Sequence, residues 1–140
     1  MSSPAPSILI VDDLVEHREL LSQVLADLGY EVATASDGGA ALEAIRSGAR
    51  PRLVLLDHWM PRMNGTEFLG HLRSDPDLAI SGIPVVVMTA DPDGVADILA
   101  RTPPDTMLEK PFGLRELRKV VLRFCGQGAA PHRGVPVGAQ

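Results

Sequence analysis

At 140 residues the chain fits one domain, long enough to bury a core without disulfides or a structural metal. Hydrophobic residues make up 45% and charged residues 22%, an ordinary globular balance, and a formal net charge of −5 argues against nucleic acid or an anionic membrane as a direct partner. The single cysteine, Cys125, excludes an internal disulfide, and no apolar stretch approaches membrane-spanning length.

Residues 1–6 are a Pro/Ser lead with neither the basic start nor the apolar segment of a secretory signal, so a cytoplasmic protein is expected. The apolar run SILIV (7–11) reads as a strand ending at Asp12-Asp13. A helix follows from about Val15 to Leu28, with Val15, Leu21, Val24, Leu25 and Leu28 inward and Glu16, Arg18, Glu19 and Gln23 facing water. Gly29 stops it. EVATA (31–35) is the second strand, and a short helix with Ala41, Leu42 and Ile45 inward runs to Gly48.

LVLLD (53–57) is apolar at consecutive positions, the mark of a central strand buried on both faces. After the HWMPRMNG loop comes a helix bearing Phe68, Leu69 and Leu72, then SDPDLAISG, which reads as a polar connection. PVVVMT (84–89) is the fourth strand, a helix spans about Gly94 to Arg101, TMLE (106–109) is a weaker fifth strand, and the last helix runs from Leu114 to Phe124. That helix turns Leu117, Val120, Val121 and Phe124 inward and carries a basic outer stripe, Arg115, Arg118, Lys119 and Arg123, read as a solvated face. Its apolar pattern continues through Cys125, which reads as a packed thiol. From residue 126 to 140 the composition turns Gly/Pro-rich and predicts disorder. The single domain therefore spans 7–125.

Strands alternating with helices imply an α/β fold with a parallel sheet. In such a sheet ligands bind beyond the carboxyl ends of the strands, which is where Asp12, Asp13, Asp57, Thr89 and Lys110 fall. Three carboxylates together repel one another unless a cation neutralises them, and oxygen donors without nearby His or Cys favour Mg²⁺. The hydroxyl and the ammonium complete a site suited to a phosphoryl group.

These motifs appear in order: Asp12-Asp13; Asp57 with Met60, Pro61, Met63 and Gly65; Thr89-Ala90; and Lys110-Pro111-Phe112. In them the chain resembles the receiver domain of bacterial response regulators, over roughly residues 7–125. The resemblance implies a doubly wound, flavodoxin-like fold with five parallel strands in the order 2-1-3-4-5. It further implies that Asp57 takes a phosphoryl group from a phosphohistidine on a histidine kinase or a histidine phosphotransfer protein. Mg²⁺ would be held by Asp13 and Asp57, by Asp12 through water, and by the backbone carbonyl of Trp59. Lys110 would pair with Asp57 and then with the phosphoryl oxygens, Thr89 would donate its hydroxyl to them, and the Lys110–Pro111 bond would be cis.

Several positions depart from that pattern. Met107 stands where the family usually has Tyr or Phe, so a weaker relay through the last strand and its neighbouring helices is expected. Pro103-Pro104 shortens the fourth main helix on a surface often used for pairing. Trp59 would shield the acyl phosphate from water, so hydrolysis slower than in a Trp59→Asn variant is expected. Asp91 reads as a turn residue in DPDG, and His58 and His71 read as solvated.

The function expected is that of a stand-alone phosphoacceptor switch that docks to a downstream protein or relays phosphate. A phosphorylation-independent binding module is the alternative. A turnover enzyme is not expected, because aspartyl-type phosphatases place a second Asp where Trp59 stands.

Overall fold

In a computed structural model of the protein, residues 7–58, 65–100 and 102–128 are described. The elements are β1 (Ser7–Val11), α1 (Val15–Asp27), β2 (Glu31–Ala35), α2 (Gly38–Arg46), β3 (Leu53–Asp57) and α3 (Gly65–Arg73). The second half comprises α4 (Leu78–Ser81), β4 (Val85–Thr89), α5 (Pro92–Ile98), β5 (Thr106–Glu109) and α6 (Leu114–Cys125). All strand pairs are parallel and the order is β2-β1-β3-β4-β5, the expected doubly wound topology.

The strand pleat explains the consecutive apolar residues. Side chains alternate between the two faces of a sheet. Leu9, Val11, Val54, Leu56, Val85 and Val87 join α2, α3, α4 and α5 in one core, with Phe68 fully buried at its centre. Ile8, Ile10, Leu53, Leu55, Val86 and Met88 form the other core with α1 and α6. Because both faces of β3 and β4 are covered, every residue of those strands is buried. The edge strand β2 buries only Ala35.

Three helical expectations need correction. The stretch read as a polar connection contains α4, because Ile80 is buried and Asp77 caps the turn by accepting from Ala79 N–H at 2.9 Å. The helix expected from about Gly94 to Arg101 is α5: it starts two residues earlier, with Asp91 as N-cap and Pro92 in the first turn, and ends at Ile98. Val15, expected inward, is 49% exposed because α1 has only just left β1, and the buried stripe begins at Leu21. The stop at Gly29 holds: its φ of 96° belongs to the left-handed region, which favours glycine.

Arg73 ties the amino-terminal edge of the sheet together. It donates to the carbonyls of Ser81 (3.0 Å) and Ile83 (2.7 Å) and pairs with Asp105 at 2.9 Å, and Asp105 in turn accepts from Val85 N–H at 2.7 Å. After α6 the chain stays against the body. Tyr30 donates its hydroxyl to the Gly126 carbonyl at 2.6 Å, and a Cβ on Gly128 would collide with the Leu28 carbonyl oxygen. Residues 1–6 and 129–140, the lead and most of the stretch expected to be disordered, lie outside the described residues. Among the described residues no helix is long and apolar enough to cross a membrane.

Candidate functional site

The strand order reverses between β1 and β3, and the functional side chains stand at the carboxyl edge beside that reversal. Register explains their convergence. Val11 lies opposite Leu56, Asp57 opposite Met88, and Thr89 opposite Glu109, so the residues that end or follow β1, β3, β4 and β5 share one edge. Lys110 is anchored there by its own N–H, which donates to the Thr89 carbonyl at 2.8 Å. The Lys110–Pro111 peptide bond is cis.

Asp12 is nearly fully buried and is held from several directions. Its Oδ1 accepts from Leu14 N–H at 2.9 Å, and its Oδ2 lies 3.3 Å from His17 Nδ1. Arg18 Nη1 donates to its carbonyl oxygen at 2.7 Å. Asp13 is exposed, while Asp57 is only 6% exposed and accepts from Lys110 Nζ at 2.8 Å. One carboxylate oxygen from each of Asp12, Asp13 and Asp57 lies within 4.8 Å of the others.

Burial dominates the electrostatics of this pocket. Removal from water pushes the Asp57 carboxyl above its ordinary value of 3.8, the Lys110 hydrogen bond and charge pull it back, and Asp12 and Asp13 push it up again. Burial also lowers the neighbouring His58, against the opposing pull of the Asp57 charge. His58 is thus a correction, since it is buried and not solvated: the backbone of Gly65 packs over it so closely that a Cβ there would lie 3.0 Å from the imidazole.

The donor set fits a hard divalent cation. Three carboxylates supply oxygen ligands around a buried, negatively charged point, and one of them is already matched to an ammonium. The structure brings together Asp12, Asp13, Asp57 and Lys110. Thr89 is buried at the end of β4, where its Oγ1 accepts from Asp91 N–H at 3.0 Å. Trp59, whose carbonyl was expected as a further ligand, lies outside the described residues, as do Met60, Pro61 and Met63.

Residues 8–122 match the response regulator receiver domain family. The chain belongs to this family. The DNA-binding response regulator MtrA of Mycobacterium tuberculosis is 40% identical over 118 residues, covering 84% of this chain and 49% of that protein. The CpxR homolog of Haemophilus influenzae is 35% identical over 129 residues, covering 91% of this chain and 54% of that protein. The chain thus spans about half the length of these curated relatives. Among solved structures, the chemotaxis response regulator CheY4 of Vibrio cholerae superposes with a TM-score of 0.75 at 32% identity, covering 85% of this chain and 98% of that one. The response regulator TrrA of Thermotoga maritima, solved in complex with Mg²⁺-BeF, gives a TM-score of 0.74 at 33% identity and covers 85% and 98%.

Some functional neighbours in this receiver domain were not read from the sequence. Arg18, on the face of α1 expected to meet water, reaches back to the Asp12 carbonyl, and His17 sets its Nδ1 beside the Asp12 carboxylate. The available signal was their place in the first turns of a helix that starts just after the acidic pair. Beside the site, a largely apolar cleft of about 490 Å³ runs between α1 and the loop after β5, with Leu20, Met88 and Phe112 in its walls and Asp12 and Lys110 at its polar end. Leu20 is 65% exposed there.

Proposed function

We propose that the receiver accepts a phosphoryl group on Asp57 from a phosphohistidine of a histidine kinase or phosphotransfer protein. The observation that carries this reading is the 2.8 Å pair between Lys110 Nζ and Asp57 Oδ1, set inside a carboxylate triad whose oxygens lie within 4.8 Å of one another. A lone buried carboxylate would be a poor nucleophile toward an anionic donor. Here Lys110 holds it in one orientation and offers positive charge where the phosphoryl oxygens arrive.

In the transfer, an Asp57 carboxylate oxygen forms the new P–O bond as the donor's P–N bond breaks, and the leaving imidazole nitrogen keeps the electron pair and takes up a proton. Asp12, Asp13 and Asp57 would hold Mg²⁺, which when bound supplies neutralising charge to the site. Lys110 is freed from Asp57 to meet the phosphoryl oxygens, and Thr89 supplies a hydroxyl donor from the end of β4. The product adds about 1.5–2 negative charges and strong acceptors at this edge, enough to redirect charge-assisted bonds.

The phosphorylated domain then switches a protein contact or passes the group on. This is self-catalysed transfer and hydrolysis, not turnover of a small-molecule substrate. The partners inferred are a phosphohistidine protein upstream and a protein target downstream, in the cytoplasm. Direct nucleic-acid contact is not proposed for this acidic domain. Incubation with Mg²⁺ and acetyl phosphate, followed by a phosphate-affinity gel, tests the reading. A retarded, hydroxylamine-labile band that disappears in Asp57→Ala supports it. No band with acetyl phosphate or with phosphohistidine donors would favour a binding module that works without phosphorylation.

A further inference from the structure

The hydroxyl of Thr89 already has a partner, and it is neither Asp57 nor Lys110. Its Oγ1 accepts from the N–H of Asp91 two residues on, a local side-chain-to-backbone turn. Asp91 is itself fixed, because its carboxylate accepts from Gly94 N–H at 3.2 Å as the N-cap of α5, and its carbonyl accepts from Val95 N–H at 3.0 Å. Gly94 is the residue that permits this arrangement: a Cβ there would collide with the Asp91 carboxylate. The chain of bonds therefore runs from α5 through Asp91 to the hydroxyl.

We infer that Asp91 is a positioning residue, a latch whose capping bond holds Thr89 in its resting place and sets how readily Thr89 turns to a phosphoryl group. This rests on the phosphoacceptor reading. Among the described residues Asp91 makes no hydrogen bond or ion pair with the acidic triad or Lys110; it acts through the orientation of its own N–H. With the carboxylate gone, the N-cap contribution to the resting arrangement is lost and the balance shifts toward the state that engages the phosphoryl group.

Two variants release the latch by opposite means. Asp91→Ala removes the acceptor and weakens the start of α5. Gly94→Ala leaves Asp91 in the sequence, evicts its carboxylate from the cap and raises helix propensity. Asp91→Asn retains a capping oxygen and serves as the rescue.

The test titrates the full chain and these three variants with Mg²⁺ alone, then with beryllofluoride at saturating Mg²⁺, following the emission of the single tryptophan. Thermal unfolding is recorded alongside. The latch predicts unchanged Mg²⁺ affinity in all four proteins. It predicts beryllofluoride binding about fivefold tighter in Asp91→Ala and Gly94→Ala, the size of a typical cap, with Asp91→Asn like the parent. A purely structural role would move the unfolding temperatures and leave the beryllofluoride affinities together. Affinities that agree within about twofold, or that weaken in the alanine variants, overturn the latch while leaving the phosphoacceptor reading intact. If the parent protein binds Mg²⁺ but no beryllofluoride, the phosphoacceptor reading itself fails, and the latch with it.

Discussion

Neutralising Asp57 stabilises the metal-free protein. At an effective dielectric of about 20, a unit charge at 4.8 Å, the upper bound on the separations within the triad, repels Asp57 by about 3.5 kcal/mol. Buried Asp12 exerts nearly all of that and exposed Asp13, screened by water, about half as much, so that together they repel by about 5 kcal/mol. Lys110, at 2.8 Å, returns about 6 kcal/mol on the same scale. The pairwise interactions nearly cancel, so the desolvation of the carboxylate decides the outcome, in keeping with burial as the largest cause of its raised pKa. Asp57→Asn keeps an oxygen for Lys110 and removes the charge; a gain of about 1–2 kcal/mol at neutral pH is expected.

The pH dependence has a definite sign. A carboxyl whose folded pKa is raised above 3.8 contributes its stability in the protonated form, fully present below about 3.8 and lost as pH rises through the folded value. The advantage of the Asn variant over the parent is therefore largest at neutral pH, narrows on acidification and closes near 3.8. Urea unfolding in a chelator across this range measures it. Saturating Mg²⁺ reverses the order, since the parent gains about 2.7 kcal/mol at a hundredfold excess over Kd and the variant gains less. An Asn variant no more stable than the parent at neutral pH, or an advantage independent of pH, would refute the reasoning.

Arg73→Ala removes two carbonyl bonds and the ion pair to Asp105, and is expected to cost about 2–3 kcal/mol in urea unfolding without altering Mg²⁺ affinity. Tyr30→Phe deletes the bond to the Gly126 carbonyl, for a loss of about 1 kcal/mol, and should expose the segment after α6 to limited proteolysis. Burial pushes the Cys125 thiol up to about 11, so disulfide reagents at mildly alkaline pH should react with it far more slowly in the folded than in the urea-unfolded chain; equal rates would contradict its packing.

The parts of this protein that were legible in its sequence are those set by period and by charge. The consecutive apolar runs at 53–57 and 84–89 identify strands covered on both faces, and the acids and the amine that follow the strands could only meet at their carboxyl edge. Two kinds of residue were not legible. α4 is a single turn, fixed by the burial of Ile80 and the Asp77 cap, and carries too little periodicity to be distinguished from a polar loop. His58 is a polar residue buried beneath the Gly65 backbone, and Arg18 is half-buried because it turns back to the Asp12 carbonyl just after β1. Composition assigns both to water; the fold buries His58 and leaves Arg18 half-exposed. Asp91 falls between these cases: the DPDG pattern marks a turn, but its link to Thr89 appears only once the backbone is in place.

The most direct test of the central claim is intact-mass analysis after incubation with Mg²⁺ and acetyl phosphate, followed by borohydride reduction and peptide mapping. A single phosphoryl mass increment, with the reduced residue mapped to position 57 and absent without Mg²⁺, is the result predicted. An unmodified chain, or a phosphoryl group that survives in Asp57→Asn, would contradict the assignment of Asp57 as the acceptor.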